Sequence, residues 1–226
     1  MRIGILQTGH LPEELAQKTG DYDVMYPAML AGHGFEFVNF AVVDGQFPDG
    51  PGDAEGWLIT GSRHGAYEDH DWIAPLEELI RAIHARDLPL IGICFGHQII
   101  AQALGGRVEK FAGGWTVGRT EYRQGDQALV LNAWHQDQVT RRPESAVLLG
   151  SSDTCENALL AYGDTIWTLQ PHPEFDSAFI DGLIRTRGRG AVPDAILDAA
   201  DAQLSLPNNN DDIAAYMAAF YKKERA

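Results

Sequence analysis

Apolar residues recur along this chain at two spacings, and the switches between them outline a fold. Short runs rich in Ile, Leu, Val and Phe ("RIGILQTG", "FEFVNFAV", "GWLITG", "LPLIGIC") predict four strands in the first half. The fourth run is almost wholly apolar, as expected of a parallel strand covered on both faces. Between the runs the spacing widens. Leu76, Leu79, Ile80 and Ile83 in "APLEELIRAIHA" share one helical face, and "GHQIIAQALGG" predicts a further helix stopped by Gly105–Gly106. A helical region is also expected after the first strand, to about Gly32, with an interruption at Pro27.

The second half is richer in short strands: "RTEYR", "ALVLNAWH", "AVLLGSS", "NALLAYG" and "TIWTLQPH". They are expected to extend the same sheet in mixed or antiparallel fashion. Helices are predicted over 177–187, 193–204 and 211–224, the last capped at Asn210 or Asp211 after the breaker "LPNNNDD". Strand–helix alternation predicts a doubly wound α/β fold, a mostly parallel sheet flanked by helices. With no repeat and no linker, one domain spanning 1–226 is expected, with a core over 1–187 and a helical extension over 188–226.

Composition narrows the functional classes. Seventeen basic residues against 32 acidic give a net charge of −15, a surface that repels phosphate backbones, so nucleic acid is not an expected partner. The apolar runs are too short to span a bilayer, and the opening "MRIGILQTGH" lacks a secretory layout, so no membrane partner and a cytoplasmic location are expected. The two cysteines, Cys94 and Cys155, make no disulfide framework. The histidines show no metal-ligand spacing, and neither metal nor cofactor is expected.

Cys94 is where chemistry is concentrated. It ends the fourth strand inside "G-I-C-F-G", the cysteine form of the G-x-S-x-G nucleophile elbow. Such a turn holds its central residue in a strained conformation at the carboxyl edge of the sheet and needs small neighbours. The helix that follows offers a positive partial charge and free N–H groups, which favour an anionic sulfur. The Phe95 N–H is placed to be half of an oxyanion hole. A nucleophilic thiol needs a base and a group to orient it. His172, just past an apolar strand in "TLQPHPEF", is the best candidate base. Glu174 stands two residues on, in a segment kept extended by Pro171 and Pro173, so both side chains face one way. Cys155 is expected to be structural. Trp57, Trp72, Trp115 and Trp167 are expected to pack rather than bind, and His97 fits either a pocket or a helix surface.

"GICFGHQ" followed by "QPHPEF", with Cys94 and His172 78 positions apart, resembles the class I (triad) glutamine amidotransferases over roughly residues 1–176. The resemblance extends to the amidotransferase domain of GMP synthase and to γ-glutamyl peptidase-like relatives, the latter through "GSRHGAYEDHDWI". It implies a flavodoxin-like sheet, with Cys94 as nucleophile, His172 as base and acid, and Glu174 as orienter. Gln98 matches the glutamine of the family's C-x-G-x-Q. "LITGSRHG" matches its oxyanion loop, with Ser62 where a second glycine is usual and Arg63 in place of proline, which leaves Gly61 or Ser62 as the second N–H donor. "AWHQDQV" resembles its S-H-G-D segment and places Trp134, His135, Gln136 and Asp137 near the substrate's α-amino and carboxylate groups.

The activity so implied is release of ammonia from the glutamine side chain through a γ-glutamyl thioester. The stretch after Glu174 is short and reads as helical, and no phosphate-cradling loop is present, so any ammonia-accepting synthetase is expected on a separate chain. The alternative is a freestanding γ-glutamyl peptidase or hydrolase. A catalytically silent regulatory or binding protein on the same fold is the contrasting class, and the complete set Cys94, His172 and Glu174 counts against it.

Overall fold

The computed structural model describes residues 1–225. In chain order its elements are β1 (Arg2–Leu6), α1 (Glu13–Thr19), α2 (Tyr22–Met29), β2 (Glu36–Phe40), β3 (Gly56–Ile59), α3 (Ile73–Ala85), β4 (Leu90–Ile93) and α4 (Phe95–Ala103). Then come β5 (Arg107–Lys110), β6 (Thr116–Gln124), β7 (Gln127–His135), β8 (Asp137–Arg141), β9 (Ala146–Gly150), β10 (Leu159–Tyr162) and β11 (Ile166–Leu169). Three helices close the sequence: α5 (Ser177–Leu183), α6 (Asp194–Asp201) and α7 (Asn210–Lys222).

A seven-stranded sheet in the order β2-β1-β3-β4-β11-β10-β9 forms the centre. β2, β1, β3, β4 and β11 run parallel, and β10 and β9 add an antiparallel edge. This is the expected doubly wound arrangement. β3 and β4 are buried at every position, which explains their unbroken apolar composition. The apolar stripe of α3 packs with Ile99 and Ile100 of α4 on one face of the sheet. Tyr26, Leu30, Phe179, Ile180 and Met217, from α2, α5 and α7 and their ends, fill the other. The extension at the end of the chain is tied to the sheet centre, since the Tyr221 hydroxyl donates to the Trp57 carbonyl at 2.8 Å.

Several expectations need correction. β6 and β7 do not extend the main sheet; they pair with each other as a separate antiparallel ribbon, and β5 pairs with β8 as another. Alternation alone cannot distinguish a strand that joins a sheet from one that leaves it. The first helical region breaks at Gly20 (φ +76°) and Asp21, not at Pro27, which lies inside α2. Asp21 wins because its carboxylate accepts the Tyr22 N–H and caps a new helix. The cap position of α7 is Asn209, one residue before the expected pair, and its side-chain oxygen accepts the Val130 N–H instead. The helix expected over 177–187 ends its α-helical part at Leu183 and continues as a wider turn over Ile184–Gly188.

Candidate active site

The carboxyl ends of β1, β3, β4 and β11 meet at one edge of the sheet, beside the point where strand order reverses between β1 and β3. Open α/β sheets bind ligands at this place. A cleft of about 430 Å³ opens there, with Cys94, His172, Ser62, Gln98, Trp134, His135, Gln136 and Asp137 among its lining residues.

Cys94 has φ +53° and ψ −103°, a conformation that non-glycine residues avoid. The turn holds it there from both sides. The Cys94 N–H donates to the Leu169 carbonyl at the end of β11 (2.9 Å), and the Gly96 N–H donates to the Thr60 carbonyl just past β3 (3.1 Å). The flanking glycines are required by contact. A Cβ on Gly96 would stand 2.3 Å from the Ile59 carbonyl oxygen, and one on Gly92 would stand 2.6 Å from the Gly96 carbonyl oxygen. Strand and helix can approach this closely only with hydrogen at both positions.

His172 and Glu174 are brought together as the extended P-H-P-E segment predicts. His172 Nδ1 and Glu174 Oε1 are 2.7 Å apart, and both side chains are buried. The ring stacks on Phe175, with centroids 4.0 Å apart and planes within 6°. The His172 backbone N–H donates to the Asn132 carbonyl of β7 (2.8 Å), and the Asn132 side chain donates to the Phe175 carbonyl (2.8 Å). Burial by itself lowers the imidazole's proton affinity. The charges of Cys94 and Glu174, with the Glu174 hydrogen bond, outweigh it, and the pKa is pushed up to about 10. The cationic form of the ring is thus favoured beside the Glu174 carboxylate. The Tyr26 hydroxyl lies near Glu174 without a hydrogen bond of normal geometry, and burial first, then the Glu174 charge, push its phenol well up.

The Gly61–Ser62 peptide is pinned on one side. The Gly61 carbonyl accepts from the hydroxyls of Thr8 (3.2 Å) and Thr60 (3.0 Å). Across a trans peptide the N–H points opposite to the carbonyl, so this clamp turns the Ser62 N–H away from the two threonines. Neither the Ser62 nor the Phe95 N–H has a protein partner among the described residues.

The remaining expected pocket residues divide into two kinds. Gln98 is buried and donates to the Asp137 carbonyl (2.8 Å) and the Gln170 side chain (3.1 Å), so its carboxamide is already oriented. Gln136 donates to the Phe111 carbonyl (3.3 Å). Asp137 is held above the usual carboxylate range, first by burial. His135 is buried with no partner for either ring nitrogen among the described residues. Burial first, then the nearby His172, lower it to about 3, so it stays neutral. His97 is neither pocket nor surface: it is fully buried against the sheet with Nδ1 2.8 Å from the Thr168 hydroxyl. Trp115 packs against the core as expected and also lines the cleft, whereas Trp57, Trp72 and Trp167 are buried.

Sequence reasoning missed Asn132, Phe175 and the cations Lys110 and Arg187 at the cleft wall, and gave Arg63 no role beyond its place in the "LITGSRHG" loop. A lone polar residue in the apolar run "LVLNAWH" was a legible signal for Asn132. The cations carried none, because their approach depends on tertiary structure.

Sheet, elbow and cleft together define a class: residues 51–182 match the family model described as "Glutamine amidotransferase class-I", and the chain belongs to that family. Within it, the chain is similar to gamma-glutamyl peptidase 3 of Arabidopsis thaliana, 33% identical over 190 residues that cover 76% of each protein. It is also similar to the glutamine-hydrolyzing GMP synthase of Finegoldia magna, 30% identical over 129 residues covering 53% of this chain and 24% of that one. The fold matches the crystal structure of a glutamine amidotransferase from Thermotoga maritima with a TM-score of 0.75 at 20% identity, covering 99% of both chains.

Proposed function

We propose that this protein is a cysteine hydrolase of γ-glutamyl amide bonds, acting through a γ-glutamyl thioester on Cys94 with His172 and Glu174. The observation that carries the reading is the buried 2.7 Å His172–Glu174 bond beside a positive-φ Cys94 at the elbow. The raised proton affinity of His172 supports its role as the group that takes up the proton displaced from the nucleophile.

The sulfur attacks the γ-carbonyl carbon, forming the S–C bond and moving the carbonyl electrons onto oxygen. The N–H groups of Phe95 and Ser62 receive that oxyanion; one such donor is worth about 3 kcal/mol. Collapse breaks the C–N bond, and His172 hands its proton to the departing nitrogen. The neutral ring then takes a proton from water as the water attacks the thioester. The C–S bond breaks, the γ-glutamyl acid leaves, and the sulfur anion and imidazolium are restored. Glu174 keeps Nδ1 protonated throughout, so Nε2 is the atom that exchanges protons with substrate. Gln98, Trp134, His135, Gln136 and Asp137 are the wall against which the α-amino and carboxylate groups are read.

Between the two branches, peptide cleavage without a partner chain is favoured. The similarity to gamma-glutamyl peptidase 3 spans 76% of this chain and 76% of that protein, whereas the similarity to GMP synthase spans 53% and 24%. The cleft volume also falls in the range of about 300–1,000 Å³ typical of small-molecule sites, with room for more than a single amino acid. The second reading is a glutaminase component that feeds ammonia to a synthetase on another chain, and it rests on the GMP synthase similarity.

The deciding experiment supplies purified protein with glutamine and a panel of γ-glutamyl dipeptides, and measures ammonia or free amine. Amine release from peptides, absent in Cys94→Ala, is the expected result. Turnover by Cys94→Ala at the parent's rate would remove the nucleophile from the scheme. Ammonia release only after a partner is added would establish the second reading.

A further inference from the structure

The loop between β3 and α3 carries a second cluster of chemistry-bearing side chains that the hydrolytic scheme does not use. His64 Nδ1 and His70 Nε2 converge on the same carboxylate oxygen, Glu68 Oε2, at 3.4 and 2.8 Å. All three donor atoms lie within 4.8 Å of one another. In sequence these residues have no metal-ligand spacing; a tight turn at Gly65, where the Glu68 N–H donates back to the Gly65 carbonyl at 3.0 Å, folds them into one cluster.

We propose that His64, Glu68 and His70 form a binding site for a divalent transition metal of the zinc class at the mouth of the cleft. Two imidazoles and one carboxylate are a ligand set suited to borderline ions rather than to calcium or magnesium, which prefer all-oxygen shells. The spacing is compatible. Zinc ligands at about 2.1 Å in a tetrahedron stand about 3.4 Å from one another. The His64–Glu68 separation already has that value, and His70 needs to open by about 0.6 Å from its hydrogen bond to Glu68. The side chains are 20%, 44% and 34% exposed in the order His64, Glu68, His70, so an ion can reach them from solvent and keep a fourth position open.

The imidazoles are also preorganised. His70 lies parallel to Trp72 (centroids 5.7 Å, planes within 7°), and His64 meets the same indole edge-on at 5.9 Å. Trp72 is buried and packs on Phe95, with centroids 5.5 Å apart. The loop thus meets the elbow through packing at one end. At the other end the His64 N–H donates to the Ser62 hydroxyl (3.1 Å), so an ion held here fixes the segment between the two oxyanion donors.

Because an active-site thiol also binds such metals, the test uses full-length Cys94→Ala protein, where binding is read independently of hydrolysis. Co²⁺ is titrated and followed by visible absorption, Zn²⁺ by calorimetry, and melting is compared with and without Zn²⁺. One equivalent is expected to bind with four-coordinate Co²⁺ absorption and a raised melting temperature. Adding Glu68→Gln or His70→Ala should each weaken binding at least tenfold and abolish the thermal shift, circular dichroism confirming that each variant is folded. No binding of either ion by Cys94→Ala protein, or affinity in both added variants within threefold of it, overturns the proposal.

Discussion

Replacing Glu174 by glutamine tests the link between geometry and chemistry most directly. The carboxylate is buried, sits 2.7 Å from His172 Nδ1, and is one of the groups that favour the cationic ring. Glutamine keeps the size and removes the charge. Removing one partner of a buried ion pair costs about 3–5 kcal/mol. If that loss is felt in full at the transition state, about 1.36 kcal/mol per decade converts it to a fall in kcat of roughly 10²- to a few 10³-fold. The assay is release of amine from the best γ-glutamyl substrate, run beside labelling by a diazo-oxo-norleucine reagent. The pH dependence of stability should change as well. A histidine raised from 6.5 to about 10 in the folded state contributes stability that is fully present below about 6.5 and lost as pH rises through about 10. Glu174→Gln should flatten the unfolding free energy across that window. A folded variant with kcat within threefold of the parent and an unchanged pH–stability curve would refute the orienting role of Glu174.

Three further outcomes follow from the geometry. Cys155 is buried, and burial pushes its thiol up to about 12, so electrophiles should label Cys94 far faster than Cys155 at about pH 8, as read by peptide mass mapping. Gly96→Ala would set a methyl group 2.3 Å from the Ile59 carbonyl oxygen, and should lower stability by about 1–3 kcal/mol in a denaturant titration. Asn132→Ala removes one of two donors to the Phe175 carbonyl, Asn210 being the other, and should cost about 0.5–1.5 kcal/mol in stability, with a larger fall in kcat than in substrate affinity.

Residues with local consequences were legible in the sequence. The G-I-C-F-G turn, the apolar β4 and the alternation of strands and helices up to α4 follow from steric and burial rules that act within a few residues. The pairing of His172 with Glu174 was legible for the same reason, because two prolines fix the backbone between them. What the sequence did not reveal was set by partners far along the chain. β6 and β7 alternate as sheet strands do, and only their mutual register decides that they form a ribbon of their own. His97 reads as a helix-surface or pocket residue until Thr168, 71 positions away, is seen to take its ring nitrogen. The convergence of His64 and His70 on one carboxylate oxygen depends on a loop whose path no periodicity encodes.

The backbone bridge from His172 to Asn132 has a mechanical consequence. It ties His172 to β7, whose far end turns back to β6 at Gly125. The ribbon is thereby a strut between the imidazole and the antiparallel edge of the central sheet, since Arg123 near its tip exchanges backbone hydrogen bonds with Ser151 just past β9 (2.8 and 3.1 Å).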